Sequence, residues 1–185
     1  MTRVRFGLTL SNRDVALGTA TAADLIALAE AAEDSGGFEH VWVGDTIMGK
    51  PRLEAITLLA AIAARTSKIR LGVACMATVP TRNPLVLAYQ WASLDLLAEG
   101  RTIFDACMGD EQDVALMRAE YANMGIDPKD RAALMVAIAT HRVLDHEVME
   151  ALVPGSTSAQ RMEEAHPRQH EPVSIRGLTP AIAYN

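Results

Sequence analysis

Two stretches, His40-Val-Trp-Val-Gly-Asp45 and Ile69-Arg-Leu-Gly-Val-Ala-Cys-Met76, decide how this 185-residue chain folds. Both are short apolar runs followed by a helical pattern, and a similar unit lies on either side of them. Residues 3–10 alternate, with Val4, Phe6, Leu8 and Leu10 on one face, which predicts the first strand. A polar loop is expected through Gly18. Thr21 then caps a helix whose first turn carries Asp24 and whose apolar stripe is Leu25, Ile26, Leu28, Ala29 and Ala32, stopped by Gly36-Gly37. After the second strand, 40–45, Pro51 is expected to restart the chain as a helix presenting Leu53, Ile56, Leu59, Ala60 and Ala63. Asn83-Pro84 opens the helix after strand 69–76, and Gly100 stops it. Thr102 to Met108 reads as the fourth strand.

Strand, helix, strand order at this spacing requires parallel pairing through right-handed crossovers, because antiparallel hairpins need no intervening helix. The predicted class is therefore α/β: four parallel βα units forming half of a TIM-like barrel. A closed barrel takes about 200 to 250 residues, and here the repeat stops near residue 150. The expected organisation is a half barrel over 1–150 and an irregular tail over 151–185, where four of the eight prolines fall. Pro172-Val-Ser-Ile175 is the one strand-like run in that tail. After the fourth strand, Asp110 to Tyr121 reads as a long polar loop with a short helix over Val114–Met124, and a helix is expected from Asp130 to Leu144.

Composition narrows the function classes. Half the residues are apolar and 4% aromatic, which suits helices on a parallel sheet. A net charge of -6 without a Lys/Arg cluster argues against nucleic acid as a partner. No apolar run approaches the roughly 18 residues of a membrane span, and the N-terminus lacks a leader pattern. Cys75 and Cys107 stand too far apart, in too plain a context, for a disulfide framework or a zinc motif. A soluble chain of the reducing cytoplasm is the expectation. No metal site is expected either, because His141, His146, His166 and His170 match no ligand spacing.

Parallel barrels gather their chemistry at the C-terminal ends of the strands, here Thr9–Ser11, Asp45–Met48, Ala74–Thr78 and Cys107–Glu111. Gly44, Gly72, Ala74, Ala77 and Gly109 are small enough to admit a flat ligand, or simply let strands and helices pack. Asp105 poses a problem: a carboxylate in a strand buried on both faces needs a partner, with Arg5 and Arg70 as candidates.

Taken in order, Leu71-Gly-Val-Ala-Cys75, Thr81-Arg-Asn-Pro-Leu-Val-Leu-Ala88, Ala92-Ser-Leu-Asp-Leu-Leu-Ala-Glu-Gly-Arg101 and the stretch from Arg118 through Tyr121 and Met124-Gly125 to Arg131 resemble the luciferase-like flavin-dependent oxidoreductases. Phe6-Gly7 and Trp42-Val-Gly-Asp45 fit the same pattern. The resemblance spans roughly residues 3 to 144. It implies a monooxygenase-like enzyme using reduced FMN or a deazaflavin coenzyme on a small-molecule substrate. It places Asp45 and Thr46 as catalytic candidates, with Ala74, Cys75, Met76, Met108 and Gly109 against the ring. Ala74 and Met76 would form a water-excluding apolar floor. Thr46 departs from the histidine common in deazaflavin-dependent members. Cys75 and Cys107 could face each other near the ring as a redox pair, although buried cysteine usually behaves as a small apolar residue. The later strands that grip phosphate are lacking, so a truncated barrel, associating as a homo-oligomer, is expected. A non-catalytic binding or assembly module is the alternative, with the helix over 130–144 (Ala133, Leu134, Ala137, Ile138, Leu144) as its contact face.

Overall fold

The computed structural model describes residues 4–109 and 115–140. Its strands β1 (Gly7–Leu10), β2 (His40–Asp45), β3 (Arg70–Met76) and β4 (Thr102–Ile103) form one sheet in the order β1-β2-β3-β4, every pair parallel. Sequential order with helical crossovers makes this one half of a TIM-type barrel. The helices are α1 (Asn12–Leu17), α2 (Ala22–Ser35), α3 (Ala55–Ala63), α4 (Pro84–Leu97), α5 (Ala115–Asn123) and α6 (Arg131–Thr140).

Their start and stop signals work largely as the sequence implies. Thr21 and Asp24 form a reciprocal capping box, and Gly36 closes α2 in the left-handed conformation. Asn83 accepts from the Val86 amide at the head of α4, with Pro84 in its first turn. Other boundaries differ. The stretch expected to be a polar loop up to Gly18 contains α1. Helix α3 begins at Ala55 rather than Pro51, because the Glu54 carboxylate accepts from the Thr57 amide and sets the cap there. The last helix packs on the 3-10 turn Val79–Thr81 and brings Met135 to the core. The end of the helix expected to run to Leu144, the 150/151 boundary, Pro172–Ile175 and four of the five histidines lie outside the described residues.

One face of the sheet is sealed. Leu10, Val41, Val43, Leu71 and Val73 are buried against Leu25, Ala29, Leu58, Leu59, Ile62, Leu87, Trp91 and Leu94 of the helices. Each such side chain contributes roughly 1.5–3 kcal/mol by leaving water. The opposite face carries the alternate residues. In register across it run Thr9, Trp42, Gly72 and Ile103. The Trp42 indole lies over Gly7 and Gly72, where any added Cβ would overlap it, so both glycines are explained by a close aromatic neighbour.

The fourth strand is two residues long instead of seven. Past Ile103 the chain leaves the ladder, Phe104 turns to meet Trp91 edge-on at 4.7 Å, and only a Met76–Ala106 bridge continues the pairing. Asp105 is exposed. The burial cost expected for its carboxylate does not arise, because the chain has left the ladder there and Asp105 faces solvent. Arg5, one of its candidate partners, pairs with Glu39 instead.

Candidate functional site

The C-terminal ends of the strands converge on one rim, and a β-bulge shapes it. Val43 pairs with Val73 and Asp45 with Met76, so Gly44 of β2 faces two residues of β3, Ala74 and Cys75. The Ala74–Cys75 peptide is cis. The bulge leaves Ala74 exposed and returns Met76 to the core at 0% exposure. The apolar floor expected of Ala74 and Met76 thus reduces to Ala74, with Met76 anchoring the bulge from beneath.

Cys75 and Cys107 are bonded to each other, with their Cα atoms 5.9 Å apart. This corrects the reading that excluded a disulfide. Thirty-two residues separate them in sequence, but that span is one βα crossover, and the β3–β4 pairing brings the two segments side by side. The cysteine-based argument for a reducing compartment falls with it. Among the described residues no helix is long and apolar enough to cross a membrane.

Asp45 is 6% exposed. One carboxylate oxygen accepts from the Thr78 amide (2.9 Å) and hydroxyl (2.6 Å), and the other pairs with Arg82 Nη2 at 3.3 Å. Arg82 also donates to the Thr78 hydroxyl and pairs with Glu54. Burial pushes the Glu54 carboxyl up, yet the amides and hydroxyl at the start of α3, with Arg82, hold it below its ordinary value. Asp45 therefore ties the end of β2 to the turn after β3. Thr46 donates from Oγ1 to the Lys50 carbonyl at 2.7 Å and accepts from Arg52 Nε at 3.1 Å.

Several groups at this rim carry no role in the sequence reading. Asn12, fully buried, donates from Nδ2 to the carbonyls of Gly44 (2.8 Å) and Leu53 (2.7 Å) and accepts from the Gly44 amide. The Arg52 guanidinium occupies the space a side chain at Gly44 would take, and its Nη1 reaches Asn12 Oδ1 at 3.5 Å. Helix α5 closes over the loop after β2. Glu120, 3% exposed, accepts from the Met48 and Gly49 amides, and the Met117 thioether presses on Gly49. Tyr121 donates from its hydroxyl to the Met108 carbonyl at 3.4 Å, and burial raises its phenol. Gly109 turns with φ +72 beside Ala77 and Tyr121, a conformation that favours glycine. An Asn immediately after the first strand and an Arg seven residues after the second were the available signals, but neither type announces a long-range bond.

The lining of the open face is chemically compatible with a flat, anionic group. Thr9, Ala74 and Ala106 are exposed and small, Trp42 fills the layer below them, and Arg52 supplies positive charge at Gly44. Beside the Asp45–Arg82–Glu54 network a cleft of about 430 Å³ opens between the loop after β2 and α4, lined by Ile47, Glu54, Arg82, Val86, Gln90 and Met124 among others.

A half barrel of parallel βα units with its polar and small residues gathered at the strand C-termini defines the class. The chain belongs to the luciferase-like monooxygenase family, whose model matches residues 4–180. It is 31% identical over 132 residues to limonene 1,2-monooxygenase of Rhodococcus erythropolis, covering 70% of this chain and 30% of that protein. Among solved structures it matches the coenzyme F420-dependent tetrahydromethanopterin reductase of Methanopyrus kandleri (TM-score 0.50, 28% identity, 69% of this chain and 32% of that one). The fold alone is shared with the oxygenating constituent of 3,6-diketocamphane monooxygenase from the CAM plasmid of Pseudomonas putida, in complex with FMN (TM-score 0.55, 16% identity, 74% and 39%). The chain spans less than half the length of each.

Proposed function

We propose that this chain carries the ring-binding half of an oxidoreductase that uses FMN or the deazaflavin coenzyme F420 on a small-molecule substrate, with monooxygenase chemistry as the first reading. The observation that carries it is the open sheet face at the strand C-termini, where Thr9, Ala74 and Ala106 leave room above Trp42. The names of its relatives and neighbours, a limonene monooxygenase, a coenzyme F420-dependent reductase and an FMN-bound monooxygenase, support the same reading.

Ala74, Cys75, Met108 and Gly109 would line the ring, with Met76 supporting the bulge. When bound, the cofactor supplies the hydride or oxygen chemistry. The chain's own groups supply place and charge. Asp45 and Thr46 act as positioning residues: the first fixes Thr78 and Arg82, and the second holds the Arg52 guanidinium over Gly44. A fixed cation there favours an anionic ring edge over a neutral one. Trp42 keeps water out of the layer below.

Titration with FMN and with coenzyme F420, oxidised and reduced, followed by Trp42 fluorescence and equilibrium dialysis, tests this. Saturable binding that Ala74→Leu abolishes without loss of the folded signal is expected. Absence of binding at high micromolar concentrations of both coenzymes would remove the reading.

A second reading, an assembly module that pairs with a second copy or another chain, has its own observation. Val4, Phe6, Leu85, Val86, Tyr89 and Leu97 are large, apolar and at least half exposed. Size-exclusion with light scattering separates the two, since a monomer that binds the ring speaks for the enzyme and an oligomer indifferent to it for the module.

A further inference from the structure

The bond between Cys75 and Cys107 lies at the rim, where the β3 bulge meets the segment that follows β4. Neither cysteine belongs to the hydrophobic core, and both are half-buried. Ala74 on one side and Asp105, Ala106 and Met108 on the other are exposed, so the half-buried pair is flanked by solvent-facing residues. Structural disulfides are typically shielded, whereas accessible ones exchange. The Cα separation of 5.9 Å lets the bond form without moving the backbone.

Its position also gives the bond leverage. Beyond Ile103 the strand ladder has ended, and among the described residues the segment through Gly109 is held by Phe104 against Trp91 and by a few hydrogen bonds. The Met76 amide donates to Asp105 O at 2.7 Å, the Cys107 amide donates to Met76 O at 3.3 Å, and Tyr121 reaches Met108 O. The bond fastens the β3 bulge directly to this segment.

We propose that Cys75 and Cys107 form a reversible thiol–disulfide exchange site, whose partner is a dithiol reductant and whose oxidation state sets how firmly the rim between β3 and β4 is held. In the exchange a thiolate of the dithiol attacks one sulfur and the other leaves as a thiolate. The second thiolate of the reductant then displaces the mixed disulfide. The chain gains two electrons and, on protonation, two thiol hydrogens, while the reductant becomes a disulfide. With the bond open, the rim segment keeps its backbone bonds, the Phe104 contact with Trp91 and the tyrosine contact but loses its covalent tie to β3, and it opens more often.

The test uses the full chain without any flavin, so its failure is separate from failure of the oxidoreductase reading. Protein purified in air is equilibrated at increasing ratios of reduced to oxidised dithiothreitol, quenched with an alkylating agent and weighed. Zero adducts are expected at the oxidising end and two at the reducing end under native conditions. Hydrogen exchange of peptides over 104–109 should quicken about tenfold in the reduced chain, and equally in the Cys75→Ser, Cys107→Ser double variant, while α2 peptides stay unchanged. If that variant does not fold, the reduced wild-type chain alone provides the comparison. Two free thiols in the air-purified protein, reduction only after denaturation, or rim exchange indifferent to oxidation state would each overturn the proposal.

Discussion

The two ends of the sheet are built by opposite means. At the N-terminal end, two charged side chains bind mostly backbone. The Glu33 carboxylate accepts from the consecutive amides of Ser67, Lys68 and Ile69, and the Arg101 guanidinium donates to the carbonyls of Ala63, Thr66 and Ile69 and to the Thr66 hydroxyl. At the C-terminal end, charged groups also join side-chain networks: Asp45 with Arg82, Arg82 with Glu54, and Arg52 with the neutral Thr46 and Asn12. An end whose buried charges bind mostly main chain serves chiefly to hold the fold. An end held by side-chain networks around an open face keeps groups that can be exchanged for a ligand.

The largest expected effect lies at the closed end. Arg101→Met leaves three carbonyls and a hydroxyl without their donor, and should lower unfolding free energy by about 3 kcal/mol, read as a shift of the urea midpoint at constant slope. Lysine at 101 should recover only part, since a point donor cannot serve four acceptors. Asp45→Asn at the open end keeps the shape and removes the charge facing Arg82, and about 1–2 kcal/mol is expected. A loss at Asp45 exceeding that at Arg101 would break the contrast.

Acid should act on the closed end in a defined window. Burial raises the Glu33 carboxyl, but the Ile69, Ser67 and Lys68 amides outweigh it and bring the group to about 2, from an ordinary 4.5. A pKa depressed by folding contributes stability that is full above the unfolded value and is lost as pH falls through the folded one. Stability should thus decline between about pH 4.5 and 2. After allowance for solvent screening the Glu33 share is about 1 kcal/mol. Glu33→Gln should flatten that part of the pH profile in denaturant titrations, and an unchanged slope would show that the amide contacts do not govern acid sensitivity.

How much of this was legible depends on how local each cause is. The four parallel units, the Thr21–Asp24 cap and the Asn83-Pro84 helix start rest on patterns within a few residues, and they fold as read. The fourth strand misled because Thr102–Met108 has strand-like composition, whereas pairing beyond Ile103 depends on a bulge in β3 that no short window reveals. The same bulge moved Met76 off the rim. The cysteine pair was excluded on sequence spacing, a criterion for small local frameworks that ignores what one crossover does to distance. Asn12, Arg52 and Glu120 act across 32 to 72 residues, so nothing beside them in the chain marks them.

The smallest expected effect is the sharpest test of what the open end is for. A methyl at Gly44 would overlap the Arg52 guanidinium, and one at Gly72 would overlap the Trp42 indole. Arg52 is a flexible chain with a half-exposed head, so Gly44→Ala needs only a swing of its tip and should cost under about 1 kcal/mol. Trp42 is a rigid ring packed on the sheet, and Gly72→Ala should cost about 1–3 kcal/mol. If the rim exists to hold charge over the ring, Gly44→Ala must weaken FMN binding far more than its small stability change implies, with tryptophan fluorescence of the free chain unaltered. Stability and binding falling in proportion would mean that Arg52 over Gly44 merely packs, and the two ends of the sheet would then differ in degree rather than in purpose.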